Sequence, residues 1–146
     1  MTLEDIQNKN IILIKYLESI INDYKIKAEY STNDNDLKVI VCQEESGDKV
    51  VFFNNDNHLF NYYAINIYGD SIKEEKDTSV IIGNLIGQSV KVDYIINRGT
   101  KEKPVYETQN WQIIFMQIMN PQTIQYYDIR RVAYRVVLKC IVNRLA

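Results

Sequence analysis

Residues 111–119 read WQIIFMQIM and are apolar at both parities of an extended chain. Trp111, Ile113, Phe115 and Met119 fall on one side, and Ile114, Met116 and Ile118 on the other. Side chains alternate across a strand, so this stretch predicts a strand covered on both faces. Asn120-Pro121 directly after it predicts the strand's end, because proline removes a ladder donor and restricts the residue before it. Three helices are expected elsewhere in the chain. One of the two covers is therefore expected to come from a neighbouring molecule.

The remaining elements follow from periodicity. Thr2 and Asp5 form a capping box ahead of a helix of about twenty residues. Its apolar face carries Ile6, Leu13, Leu17, Ile20, Ile21 and Tyr24, with Lys15, Glu18, Ser19 and Asn22 opposite. KIKAEY, LKVIVC and VVFF read as strands between polar turns. LFNYYAINIY is a longer strand, its Tyr63, Ile65 and Ile67 facing a core and its Tyr62, Ala64, Asn66 and Tyr68 a wetter side.

Ser71 with Glu74 is a second capping box, opening a helix over 72–86 with Ile81, Ile82, Leu85 and Ile86 on its apolar side. Gly87 is placed as its left-handed stop. Gly83 inside that helix predicts close approach of another backbone, since glycine there costs about 1 kcal/mol relative to alanine. VKVDYIIN and PVYETQNWQIIFMQIM are joined by the hairpin loop RGTKEK.

The chain closes on DIRRVAYRVVLKCIVNRLA, which reads as a helix capped by Asp128. At roughly 100° per residue the positions form two apolar stripes. Ile129, Ala133, Val136, Val137 and Cys140 make one, suited to the domain's own sheet. Tyr134, Leu138, Ile141 and Leu145 make the second. Arg131, Arg135 and Lys139 form a narrow strip between them, shared with Val142, while Arg130 and Arg144 lie in the other gap. Three readings stay open: a helix wedged between sheet and first helix, a stripe meeting another subunit, or a phosphate-binding strip. Arg131, Tyr134, Arg135, Leu138, Lys139, Ile141, Val142 and Leu145 are thus candidate interface residues. The elements sum to a single α+β domain over 1–146, order α-β-β-β-β-α-β-β-α, with a mostly antiparallel or mixed sheet flanked by helices.

Chemistry is scarce. His58 stands near Asp56 without a nucleophile beside it, and reads as a solvated turn residue. No Cys pair or second His has metal-ligand spacing, and no phosphate-binding glycine motif occurs. Glu74-Glu75 suits the start of a helix, where the macrodipole favours negative charge. Asp93 and Glu107, on adjacent expected strands, are the nearest approach to a metal-dependent nuclease site. No cofactor and no metal is expected. Cys42 and Cys140 sit in apolar runs and read as buried thiols of a reducing compartment.

A net charge of −2 disfavours a surface built wholly for nucleic acid. The charge is nonetheless uneven. Residues 28–77 hold eleven acids and four bases, and 121–146 five bases and one acid, which suits head-to-tail attraction. The turns QEESGDK, with Glu44, Glu45 and Asp48, and RGTKEK, with Arg98, Lys101 and Lys103, are candidate partner-contact loops, solvated turns being the simpler reading. MTLEDIQNK has acids where a secretory leader needs bases, and no apolar run approaches a membrane span.

The succession from the amphipathic first helix through YYAINIYGDSIKEEKDTSVIIGNLIG to NWQIIFMQIMNPQTIQYYDIRRVAYRVVLKCIV resembles the tail-terminator and neck proteins of long-tailed bacteriophages and phage-tail-like particles. The resemblance spans nearly the whole chain and rests on organisation, without a signature motif. It implies a structural virion protein and no enzyme: a homo-oligomeric ring, typically of six subunits, capping the tail tube and offering a surface to the head-side connector. The implied partners are other copies, tail-tube protein and neck or connector proteins, with no membrane. Nucleic acid enters only as DNA passing through a ring lumen. The implied location is the head–tail junction of a virion assembled in the bacterial cytoplasm. A nucleic-acid-binding accessory protein using the basic strip is the alternative.

Overall fold

The computed structural model describes residues 3–31, 38–45, 49–53, 56–126 and 131–145. Two helices and seven strands occur among them: α1 (Leu3–Ile20), β1 (Lys25–Lys27), β2 (Val39–Glu44), β3 (Lys49–Phe53), β4 (Asp56–Tyr68), α2 (Ile72–Gly83), β5 (Ser89–Asn97), β6 (Tyr106–Tyr126) and β7 (Arg131–Arg144). The sheet runs β1-β2-β4-β7-β6-β5, with β3 pairing β4 off this path. It curls into a half-barrel. β1 and β2 are parallel; every other pair is antiparallel.

This corrects the expected class. The protein is mostly β, and the last element is a central strand where a helix was expected. β7 is bonded to β4 along one edge and to β6 along the other. The residues explain why. Val132, Val136, Val137, Ile141 and Val142 are β-branched and fit a pleated surface better than a helix. What reads as two helical stripes is one strand with two buried faces. Tyr134, Val136, Leu138, Cys140 and Val142 join the main core beneath the helices. Ala133, Val137 and Ile141 alternate with them and are buried on the reverse face. Asp128, the expected cap, lies outside the described residues.

β6 differs from expectation in a related way. Its register slips between Phe115 and Gln117, leaving Met116 as an extra, partly exposed residue. The bulge switches parity, so Trp111, Ile113 and Phe115 face the main core before it and Ile118 packs there after it. Apolar residues at both parities therefore record a parity switch, and no neighbouring molecule is needed as a lid. Asn120-Pro121 does not end the strand. Asn120 adopts φ 53, the register slips again between Met119 and Gln122, and β6 continues to Tyr126. Proline is tolerated because a bulge has no ladder bond to lose.

α1 lays Ile12, Leu13 and Leu17, all fully buried, on the sheet. Ile6 is half exposed, and Asp5 and Lys9 occupy the buried face in its place. The Lys9 ammonium donates to Asn61 Oδ1 at 3.4 Å, and that oxygen also accepts from Val142 N. Thr2 lies outside the described residues. α2 starts as the capping box predicts: Ser71 Oγ accepts from Glu74 N at 3.1 Å. The helix ends sooner than expected, at Gly83 with Asn84 as its C-cap; Gly87 does take a left-handed φ of 86, but four residues beyond the helix, where its N–H donates to Phe115 O of β6. Ile82 and Leu85 are buried, whereas Ile81 is exposed. No backbone approaches Gly83; a Cβ there would meet Ile118 Cδ1 at 3.9 Å, an ordinary contact.

The far side of β4 is not wet. Ala64, Asn66 and Tyr68 are buried, and Tyr68 packs with Val39, Val41 and Ala133 in a second, smaller core. The Tyr30 ring covers it, 4.9 Å from the Tyr68 ring centroid. Cys42 and Cys140 are both buried and unlinked, and burial pushes the Cys42 thiol up to about 12.

Candidate assembly site

The β5–β6 hairpin is tied to the start of α1 by a knot of charges. Arg98 forks onto Glu4 at 2.7 and 2.9 Å and donates from Nε to Glu107 Oε2 at 2.6 Å. Arg144, at the end of β7, reaches Asp5 and Glu107, each at 3.2 Å. The two arginines thus bridge three carboxylates from two otherwise separate elements.

Their effect on titration has a definite sign. Hydrogen bonding from Arg98 holds both the Glu4 and Glu107 carboxyls below their ordinary value of 4.5. A carboxylate with a depressed folded-state pKa stabilises the fold above its unfolded value, and that contribution is lost as pH falls through the folded value. The melting temperature is therefore expected to drop as pH is lowered below 4.5, less steeply in Arg98→Gln than in the native protein. Thermal scans between pH 6 and pH 3 check this, and identical slopes would contradict it. The Arg98 pairs are partly solvent-exposed, so salt should shrink the difference.

Beyond the knot lies the hairpin tip. Asn97 Oδ1 accepts from Gly99 N at 2.9 Å and Val105 N at 3.0 Å, folding the loop back on itself. Gly99 is required there, because a Cβ would come within 2.8 Å of Val105 N. The tip exposes Val105 and Tyr106, at 60% and 68%, and Ile95, at 59%, lies on the same face of the hairpin as Tyr106.

A second apolar feature sits beside the middle of β6. An open groove of about 500 Å³ runs between α2 and the bulged part of the strand, lined by Val80, Gly83, Met116, Ile118, Pro121 and Tyr134. Val80 is 56% exposed at its rim. The missing side chain at Gly83 leaves the groove open. Tyr106 and Ile118 are twelve positions apart on one strand, on the order of 40 Å at about 3.3 Å per residue. A tip therefore cannot reach its own groove.

The residues singled out from the sequence fall elsewhere. Leu138 and Val142 are fully buried under α1, and Ile141 is buried on the reverse face, so none forms an outer surface. Tyr134 packs against the core and lies under Lys76, whose ammonium is 5.9 Å from the ring centroid. Arg135 is ion-paired with Glu45, and Lys139 lies 4.3 Å over the Phe60 ring. Arg135 and Lys139 of the basic strip are thus engaged internally. Leu145 is half-buried, its N–H donating to Asn110 O. Nothing is described of the Arg131 side chain, and Asp48 lies outside the described residues.

Of the loop candidates, Arg98 belongs to the knot, while Lys101 and Lys103 are exposed at the tip. Glu44 is exposed at the end of β2. Asp93 and Glu107 do not converge. Glu107 pairs with Ile96 and Asp93 with Asn110, three register positions apart, so the two side chains point to opposite faces of the sheet. His58 and Asp56 belong to β4, but their side chains lie outside the described residues. Sequence reasoning missed Val105, Tyr106 and the groove. Val105-Tyr106 beside a charged loop was the available signal; the groove, built from residues distant in sequence, left none.

No protein-family model matches this chain, and a search of curated proteins finds no match either.

Proposed function

We propose that this chain is a non-catalytic structural protein that assembles head to tail into a ring, in the manner of the phage tail-terminator and neck proteins its organisation resembles. One observation carries the ring: an exposed apolar tip at the start of β6 and an open apolar groove beside the middle of the same strand. Unlike patches on one molecule make heterologous contacts, and such contacts close into rings when the rotation per subunit allows. The groove's volume accommodates a tyrosine ring with an aliphatic neighbour, which is what the tip presents. Aromatic anchors in such pockets supply most of an interface's energy. The tail-tube end and the head-side connector remain the partners this reading assigns.

Two variants test the contact from both sides. Tyr106→Asp places a charge on the tip, and Gly83→Leu fills the groove from a position where a Cβ meets no backbone. Each is expected to leave the circular dichroism spectrum native and to abolish higher assembly in light scattering, alone or with tail-tube protein. Rings that persist in both variants would remove the tip and groove from the interface.

A further inference from the structure

The outer strand β5 carries a second surface. Its ladder to β6 has a definite phase: Phe115 N donates to Gln88 O at 3.0 Å, and Arg98 N to Val105 O at 2.6 Å. Bonded pairs recur at every second residue of an antiparallel ladder. Val90, Val92, Tyr94 and Ile96 therefore bond to β6, while the N–H and C=O groups of Ser89, Lys91, Asp93 and Ile95 point to the open edge. A contact from another element agrees. Lys15 of α1 reaches round to donate to Asp93 O at 2.7 Å, which requires that carbonyl to face outward.

An open edge of this length is a template for another strand. The sequence of the edge selects which one. Antiparallel pairing of β5 with the same strand of a second copy must match outward-facing residues with outward-facing residues. Centred on Asp93 it sets two aspartates opposite each other, and centred on Lys91 two lysines. Like charges directly opposite destabilise a strand pair. Centred on Val92, it sets Lys91 opposite the second copy's Asp93, and by symmetry Asp93 opposite the second copy's Lys91. On the helix-bearing face the same register sets Val92 against Val92 and Val90 against Tyr94.

We propose that two copies pair through β5 about a two-fold axis centred on Val92, joining their sheets into one. A lysine in the middle of an edge strand ordinarily deters pairing, but here each Lys91 meets an aspartate. Lys15 is exposed and gives up the Asp93 carbonyl, which then accepts from the second copy's Lys91 N–H. The contact is isologous and does not depend on the ring, whose contacts join unlike patches.

Sedimentation velocity across a concentration series tests the pairing. Lys91→Asp and Asp93→Lys are each expected to weaken dimerisation about tenfold or more, whereas the double variant Lys91→Asp/Asp93→Lys restores it, because unlike charges face each other again. Asp93→Pro removes one edge-facing N–H without touching a β6 bond, and should abolish the dimer with a native circular dichroism spectrum. Tyr106→Asp should leave it intact. A native protein that stays monomeric at its highest soluble concentration would overturn the proposal. So would single charge reversals that leave the dimer unchanged, or a folded double variant that fails to regain it.

Discussion

Leu138→Asp is expected to leave no folded protein. Leu138 is fully buried in the middle of β7, paired with Tyr63 on one side and Ile118 on the other, in the core that α1 covers. Removing the leucine side chain alone costs about 2–5 kcal/mol. Burying a carboxylate there adds several kcal/mol of desolvation, or forces protonation at comparable cost. Domains of this size are stable by about 5–15 kcal/mol. The sum approaches or exceeds the whole stability, so the far-ultraviolet spectrum should be that of an unfolded chain with no cooperative melt. On a helix with an outward stripe the same substitution would spare the fold and affect assembly alone. A native melting curve for Leu138→Asp would mean that β7 is not the central strand described.

Trp111→Ala is expected to destabilise by about 3–5 kcal/mol while leaving a folded protein. Trp111 is the largest fully buried side chain, on β6 opposite Val92 and Arg144. Its indole N–H donates to Gln109 Oε1 at 3.1 Å, and Gln109 is itself buried. Truncation therefore opens a cavity and also removes a hydrogen bond from a buried amide. At about 2–4 °C per kcal/mol for domains of this size, the melting temperature should fall by about 6–20 °C. A loss under about 1 kcal/mol in a denaturant titration would show that the hairpin is not anchored through this ring.

The two predictions concern the region where sequence and structure part company. The first two-thirds of the chain was legible because local signals there agree with tertiary placement. Ser71 caps α2, and Tyr63, Ile65 and Ile67 alternate onto the core. The last third was misread for a physical reason. A strand buried on both faces has no clean alternation, and RRVAYRVVLKCIV satisfies a helical wheel as readily as a two-sided strand. The number of β-branched residues was the better guide, and it favours the strand. The bulges in β6 were equally hidden, since a single extra residue such as Met116 shows only as apolar side chains at both parities. The assembly site shared this fate. Val105 and Tyr106 adjoin a loop whose charges drew attention, and the groove joins α2 to residues more than thirty positions away.

Negative-stain electron microscopy of the native protein mixed with phage tail tubes is the most direct measurement of ring assembly. Closed rings seated on one end of each tube are expected, and they should be lost with Tyr106→Asp. Bare tubes, with the protein remaining monomeric or dimeric in the same mixture, would contradict the ring.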